Sequence, residues 1–480
     1  MADSDTNSIE SDSHLKWYEG ISRYQWLVLL IASLGWVFDV FEGQIFVASM
    51  RDAMPALLGV EPDDATVGSW NNIAFGFFLL GGAVGGVFFG VVSDRIGRSK
   101  TMILTILFYS LFTCLSAFSQ EAWHMVVLRF LVAMGVGGEW AVASAMVAEV
   151  MPKRSRATMG SIFHASSVFG TLLAAATIAM LIGNPDLNAR LASAGWEPWR
   201  IGFAIGVLPA LLTLWIRWKL HEPESWQRAQ ERAKHDETQK PGRISDLFSS
   251  ENLRATVVGV TLATIGLVTF WGIHIYGKNA LLRRAQADAL VAENVINPGP
   301  QATEEQQATF DTAKKQALTL HAAEIKRAEM TSMALNTIGG GLGLVLFGWI
   351  SNMIGRRGAF IFYHLIAFIV VIVMFKVLLP SDASPMVLAI CLPIFGFFTL
   401  GMHAGYAVYF PELYPTRMRG TGAGFCFNMG RLGTAAAFFV FGFWVKMVPE
   451  SQALLLAPLY LLGAVVILFG RETRGTELLE

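Results

Sequence analysis

Blocks of about twenty consecutive apolar residues recur along this chain, and a block of that length has few stable homes. At 1.5 Å per residue, about 20 helical residues cross the ~30 Å hydrocarbon core of a bilayer. Within that core the backbone must satisfy its own N–H and C=O groups, which an α-helix does without help from neighbours. The blocks fall near 26–50, 69–92, 101–119, 123–148, 157–183 and 200–219. After a polar stretch from His221 to Leu253 they resume near 255–277, 331–351, 359–379, 386–410, 420–446 and 452–470. The expected fold is an all-α membrane protein of about twelve transmembrane helices in two pseudo-symmetric six-helix bundles. Of the 480 residues, 54% are hydrophobic and only 15% charged, which agrees with a chain largely dissolved in lipid.

The expected division is a tail at 1–24, a first bundle at 25–219, a linker at 220–253, a second bundle at 254–470 and a tail at 471–480. Residues 1–20 are acidic and Ser-rich and lack the basic start of a cleaved signal peptide, so a disordered cytoplasmic tail is expected. Basic residues mark the loops of one side: Arg95, Arg98, Lys100; Lys153, Arg154, Arg156; Arg356, Arg357; Arg417, Arg419; Arg471, Arg474. The positive-inside rule then places both termini in the cytoplasm of a cell (inner) membrane. These cations are scattered among short loops, so no nucleic-acid surface is expected. Cys114, Cys391 and Cys426 fall in apolar blocks and are expected as free thiols. The stretch 279–330, broken at Asn297-Pro298-Gly299-Pro300, reads as two polar helices in an external loop, either a solvated insertion or a lid.

Two charges lie inside blocks that otherwise read as spans: Asp39 in the first and Arg129 in the fourth. Each costs about 2.5–3.5 kcal/mol at the bilayer centre even on the mildest scale, so a functional role is the first expectation. Counted along the helices, Asp39 lies about 20 Å and Arg129 about 21 Å from the inner face, and the two share a level.

The halves repeat. Gly90-Val91-Val92-Ser93-Asp94-Arg95-Ile96-Gly97-Arg98 returns 258 positions on as Gly348-Trp349-Ile350-Ser351-Asn352-Met353-Ile354-Gly355-Arg356. Glu149-Val150-Met151-Pro152-Lys153-Arg154-Ser155-Arg156 returns 263 positions on as Glu412-Leu413-Tyr414-Pro415-Thr416-Arg417-Met418-Arg419. Near-equal offsets in the same loop of each half point to duplication, and duplicated halves point to a site at their interface, opened alternately to either side.

On these motifs the chain resembles the major facilitator superfamily over nearly its whole length, the G-x-x-x-D-R-x-G-R loop being the most specific mark. Arg129 placed twenty residues before Glu149, Pro223-Glu224-Ser225 and Glu472-Thr473-Arg474-Gly475 resemble the sugar-porter and metabolite:proton symporter branches. Gly35-Trp36-Val37-Phe38-Asp39-Val40-Phe41-Glu42 is similar to symporters of sialate, lactate and aromatic acids. The resemblance implies that Asp39 and Arg129 pair and that Asp39 takes the proton; the plainer reading is a fixed ion pair joining the first and fourth helices. It also implies a cytoplasmic gate of Asp94, Arg98, Glu149, Arg156, Glu224, Glu412, Arg419 and Glu472. Asn352 stands where the first half has Asp94, so the second-half gate is expected to be weaker. Sugar porters carry a Gln pair in helix seven that this chain lacks, which weighs against a sugar.

Glu42, one turn above Asp39 on the same face, is a candidate second proton site or a residue that shapes the substrate; the plainer reading is an outer-cavity acid facing water. Glu139, after Gly137-Gly138, is assigned to the inner gate. Arg431, with no obvious acid beside it, is the candidate for an anionic substrate, its guanidinium fork suiting a carboxylate; the equal alternative is that it bonds helix-ten carbonyls or an unseen acid. Asn428, His403 and Tyr406 are placed with it, and His164 and Tyr409 are further polar candidates; packing is the plainer reading for the His and Tyr residues. Gly81-Gly82-Ala83-Val84-Gly85-Gly86 and Gly339-Gly340-Gly341 lie in spans and read as close-packing sites rather than phosphate loops. No Walker motif, metal-ligand spacing or nucleophile set stands out.

The expected function is a proton-coupled symporter of a small organic anion such as a monocarboxylate, aromatic acid or sialate. The alternatives are a sugar:proton symporter and a transport-like nutrient sensor. The expected partners are the substrate, protons and lipid. No cofactor is expected beyond the proton gradient, and the monomer is the expected working unit.

Overall fold

The structure, a computed structural model, describes residues 16–480 apart from 63, 179, 181–184, 300, 382 and 445–448. The tail at 1–15 therefore lies outside the described residues. Every long element is a helix. The first half contributes spans at Arg23–Leu58, Ala65–Ile96, Arg98–Ser116, Ala122–Val150 and Arg156–Thr177, and a sixth at 198–219. The second begins with the helical stretch Leu253–Ala292 and continues with the helical stretch Ala322–Leu378, which turns back on itself at Gly355 and makes two crossings. Pro385–Leu413, Arg419–Trp444 and the helices of 449–469 complete twelve crossings in two bundles.

Local chemistry sets the ends. Ser22 and Gln25 close a reciprocal cap on the first span, and Gly59 ends it in the left-handed conformation. The tight returns between spans two and three and between spans eight and nine both need a positive φ, 115° at Gly97 and 85° at Gly355. The outer surface is apolar: Leu111, Phe118, Trp349 and Ile390 are each more than half exposed, as side chains facing lipid are. Cys426 is buried, Cys114 and Cys391 are half-buried, and all three are free.

The polar insertion is two helices, as its sequence indicates, with a different attachment. The seventh span passes through a turn at Lys278 and Asn279 into a helix at Ala280–Ala292, a second helix covers Glu304–Leu320, and the eighth span's helix begins at Ala322 rather than near 331. His321 ties the two helical arms, its ring nitrogens 3.1 Å from Glu293 and 3.3 Å from Glu324. Those carboxylates hold its imidazole above the usual range, so the tie is present in acid and is lost as pH rises through that raised value.

The loops rich in Arg gather on one face, together with the start of the first span and the end of the twelfth. Thr416 donates its amide to the Leu479 carbonyl (3.1 Å), Gly242 donates to Arg417 (3.0 Å) and Gln25 to Val150 (3.0 Å). This basic face is where the two halves are locked together.

Candidate functional site

Two groups of buried charge stand one above the other along the interface between the halves. The first is the network at the basic face. Asp94, at the end of span two, is fully buried and accepts four hydrogen bonds: from Arg98 Nη1 (2.6 Å), the amides of Gly420 (3.0 Å) and Thr421 (2.7 Å), and the Thr421 hydroxyl (2.5 Å). Gly420 and Thr421 open span eleven, so a carboxylate of one half caps a helix of the other, with the helix dipole in its favour. Arg98 reaches across to the Thr416 carbonyl (2.9 Å), and Glu149 accepts from both Arg98 (2.8 Å) and Arg419 (2.9 Å). All four side chains are out of water.

The second half repeats this scheme with less in it. Arg356 pairs with Glu412 (2.9 Å) and donates to Asn352 Oδ1 (3.0 Å). Across the interface Asn352 offers only its amide N–H₂, to the Arg154 carbonyl (3.5 Å) and the Thr158 hydroxyl (3.3 Å). Arg156, the counterpart of Arg419, donates to the Ala148 carbonyl (3.1 Å) and forms no ion pair with Glu412 among the described residues.

Glu472 accepts from the amides of Arg356 (2.9 Å) and Arg357 (3.0 Å), inside its own half. Its counterpart is not Glu224. That residue is almost fully solvated and faces Arg228 at 3.7 Å, one turn along its own helix. Glu222, two residues earlier, takes the position, accepting from the amides of Arg98 (2.6 Å), Ser99 (3.2 Å) and Lys100 (3.2 Å). A Cβ at Gly97 would meet the Glu222 carboxylate, and one at Gly355 would meet Glu472, so each return needs glycine twice over.

The second group lies deep in the spans. Asp39, Glu42, Arg129 and Glu139 are each at most 3% exposed. The expected Asp39–Arg129 pair is not formed: Arg129 is held by Glu42, with Nη2 donating to Ser116 Oγ (2.7 Å) and its guanidinium over the rings of Phe46 (5.1 Å) and Phe203 (4.9 Å). Asp39 and Glu42 are three residues apart on one face, and the reach of the arginine selects the outer of the two. Asp39 is left with neither carboxylate oxygen hydrogen-bonded. Its charged or polar neighbours are Glu139, Glu42, Arg431 and the Tyr109 hydroxyl.

Glu139 belongs here and not to the basic-face network. Thr105 lies 2.6 Å from its Oε2, Oε1 has no partner, and a Cβ at Gly35 would sit 2.5 Å from Oε1. Arg431 comes from the second half. It rests against Gly82, where a Cβ would fall 2.2 Å from Nη1, and lies over the Phe427 ring at 5.4 Å. It is half-buried, makes no hydrogen bond among the described residues, and Asp39 is the acid within its electrostatic reach. Asp39 is thus the acid that was not obvious beside Arg431 in the sequence.

The other expected substrate residues are occupied by backbone. The Asn428 amide donates to the carbonyls of Gly424 (2.9 Å) and Gly137 (3.4 Å). Both His403 ring nitrogens face carbonyls, of Leu400 (3.0 Å) and Gly266 (3.2 Å), and the Tyr406 hydroxyl donates to Leu262 (3.1 Å). Tyr409 likewise donates to the Arg471 carbonyl (2.7 Å). These side chains join helices.

Sequence reasoning missed Tyr109, Thr105 and the aromatic set beneath Asp39. Trp140 of span four stacks on Phe427 of span eleven at 4.0 Å, and its indole N–H donates to His164 Nδ1 (3.2 Å). A buried hydroxyl two spans along the chain carries no charge signal, and only the packing brings it to the acid.

A family model described as "Sugar (and other) transporter" matches residues 34–246. The sialic acid transporter NanX of Escherichia coli (strain K12) is 26% identical over 422 residues, covering 88% of this chain and 87% of that protein. The cis,cis-muconate transport protein of Acinetobacter baylyi (strain ATCC 33305 / BD413 / ADP1) is 27% identical over 406 residues, covering 82% and 84%. Among solved structures, the major facilitator superfamily proton:xylose symporter XylE aligns with a TM-score of 0.71 at 17% identity, covering 95% of this chain and 98% of that one. The fold is that superfamily's.

Proposed function

We propose that this chain, which has the major facilitator fold, is a proton-coupled symporter of a small organic anion working by alternating access, with a carboxylate of the sialate or muconate kind as its substrate. One observation carries the reading. A buried carboxylate of one half, Asp39, receives no hydrogen bond of good geometry among the described residues and faces a cation of the other half, Arg431, that makes none among them either.

An acid in low dielectric is stable when neutral or when paired with a cation. Protonated Asp39 releases Arg431, whose fork then accepts a carboxylate in bidentate fashion. Ionised Asp39 reclaims Arg431 and competes with that substrate. Proton and anion therefore bind together and leave together, and either loaded or empty, the interface carries little unpaired charge for the halves to move past. Glu42–Arg129 is the constant pair beside this variable one. The network at the basic face holds the halves closed on that side until it breaks.

We place the basic face in the cytoplasm of a bacterial inner membrane, by the excess of Lys and Arg in its short loops. A sugar as substrate is supported by the family description, but a neutral ligand leaves the Arg431 guanidinium without its counter-charge. The test is counterflow of labelled N-acetylneuraminate and cis,cis-muconate against xylose in proteoliposomes. Exchange of a carboxylate that Arg431→Ala weakens at least about tenfold, the scale of one charged hydrogen bond, supports the reading. Exchange of xylose alone, or carboxylate exchange indifferent to Arg431, contradicts it.

A further inference from the structure

We propose that Glu139 is a second proton site, one helical turn nearer the basic face than Asp39, and that the two carboxyls hold one proton between them, which passes from Asp39 to Glu139. The inference rests on the proton-coupled reading above and adds the residue that receives the proton.

The first observation is position. Gly35 precedes Asp39 by four residues, about 6 Å along the helix toward the basic face. The notch left by its missing side chain is filled by Glu139 Oε1, 2.5 Å from where a Cβ would stand. The second is the pattern of satisfied and unsatisfied atoms. Glu139 is fully buried with Oε1 unpartnered, and both oxygens of Asp39 are unpartnered. Among the described residues, two anions so placed have Arg431 as the cation to share, and it lies on the Asp39 side. One proton between them removes a charge that nothing else there neutralises.

The third is the Thr105 hydroxyl, 2.6 Å from Glu139 Oε2 and 3.0 Å from the Met102 carbonyl. It has one hydrogen for two acceptors. When Glu139 is ionised, Thr105 donates to it. When Glu139 is protonated, the acid donates to Thr105 and the hydroxyl turns to Met102. The site is thus hydrogen-bonded in both states. The other groups facing the pair are Tyr109 from span three, Glu42 from span one and Arg431 from span eleven; Arg129 is held by Glu42.

In the transfer an O–H bond of Asp39 breaks as an O–H bond of Glu139 forms. No electron moves, and the negative charge passes from Glu139 to Asp39. The new Asp39 anion attracts Arg431 away from the substrate carboxylate, so arrival of the proton at Glu139 favours release.

The first arm of the test needs no substrate. Infrared difference spectra of the purified full-length protein, taken across a pH titration, follow the carbonyl stretch of protonated buried carboxylic acids in wild type, Asp39→Asn and Glu139→Gln. The expected result is that Glu139→Gln removes part of that signal and that each substitution shifts the pH at which the remaining part disappears. An unchanged signal and an unchanged transition in Glu139→Gln overturn the proposal. If Glu139→Gln does not fold, Glu139→Asp replaces it: a shifted transition supports the proposal and an unshifted one overturns it. The second arm is transport of N-acetylneuraminate by Glu139→Gln, with exchange expected to persist and pH-driven accumulation to be lost. Accumulation at the wild-type level overturns the relay, whereas absence of exchange in the wild type itself removes only the substrate assignment and leaves the infrared result to decide.

Discussion

Asp94 and Asp39 are both buried aspartates at the boundary between the halves, and their surroundings are opposite. Asp94 accepts four hydrogen bonds, three of them from the opening of a helix in the other half. Asp39 accepts none and has a cation only at a distance. A carboxylate with every lone pair engaged fixes one arrangement, because leaving it means stranding a charge. A carboxylate left open is sensitive to whether it carries a proton. In the proposed function the same side chain serves as a lock at one depth and as a switch at another.

The largest effect that tests this contrast comes from removing the lock. Asp94→Ala leaves the amides of Gly420 and Thr421 without their acceptor and takes one of the two carboxylates from Arg98, Glu149 keeping the other, at roughly 1–3 kcal/mol for each stranded group. Turnover in proteoliposomes is expected to fall about 100-fold or more while the purified protein stays folded by circular dichroism; wild-type turnover would remove the lock from the account. Next is the constant pair. Glu42→Gln leaves Arg129 buried beside a neutral amide, and its thermal unfolding is expected to fall by an amount equivalent to about 3 kcal/mol, measured as a lowered Tm. An unchanged Tm contradicts the structural role given to Glu42.

Asn352→Asp sharpens the comparison by adding what the second half lacks. The new carboxylate faces the start of span five, as Asp94 faces the start of span eleven. Gly348 packs on Ala157 and Thr158 as Gly90 packs on Gly420 and Thr421. A stronger second lock slows turnover about tenfold, the worth of one or two charge-assisted hydrogen bonds. Faster or unchanged transport contradicts the equivalence of the halves. The smallest effects separate neighbours in sequence. Glu222→Ala uncovers three amides at the start of span three and costs about 1–2 kcal/mol, as loss of a helix cap does. Glu224→Ala changes nothing measurable. Equal effects on Tm count against the assignment of the cap to Glu222.

The apolar blocks made the crossings legible, and the repeat made the lock legible, because Asp94, Arg98, Glu149 and Arg419 sit at fixed spacing in short loops. What was not legible turned on distances shorter than a helical turn. Asp39 and Glu42 share a face, and nothing in their spacing says which one Arg129 reaches. Glu139 reads as part of the gate because close packing accounts for Gly137-Gly138 but not for a carboxylate after them, yet the notch at Gly35 brings it to Asp39. Pro223-Glu224-Ser225 draws attention to the glutamate inside the motif, whereas the proline starts a helix that carries Glu224 outward and leaves Glu222 at the amides. His403 and Tyr406 resemble ligands as isolated polar side chains in a span. Their partners are carbonyls, of Leu262 and Gly266 in the seventh span and of Leu400 in His403's own span.

The central claim is that the proton on Asp39 governs Arg431 and thereby couples the halves to a gradient. Transport of N-acetylneuraminate by Asp39→Asn, followed in one set of vesicles with and without an imposed pH difference, tests it most directly. Exchange that persists while the pH difference no longer drives accumulation is the predicted result. Accumulation that still follows the pH difference contradicts the claim.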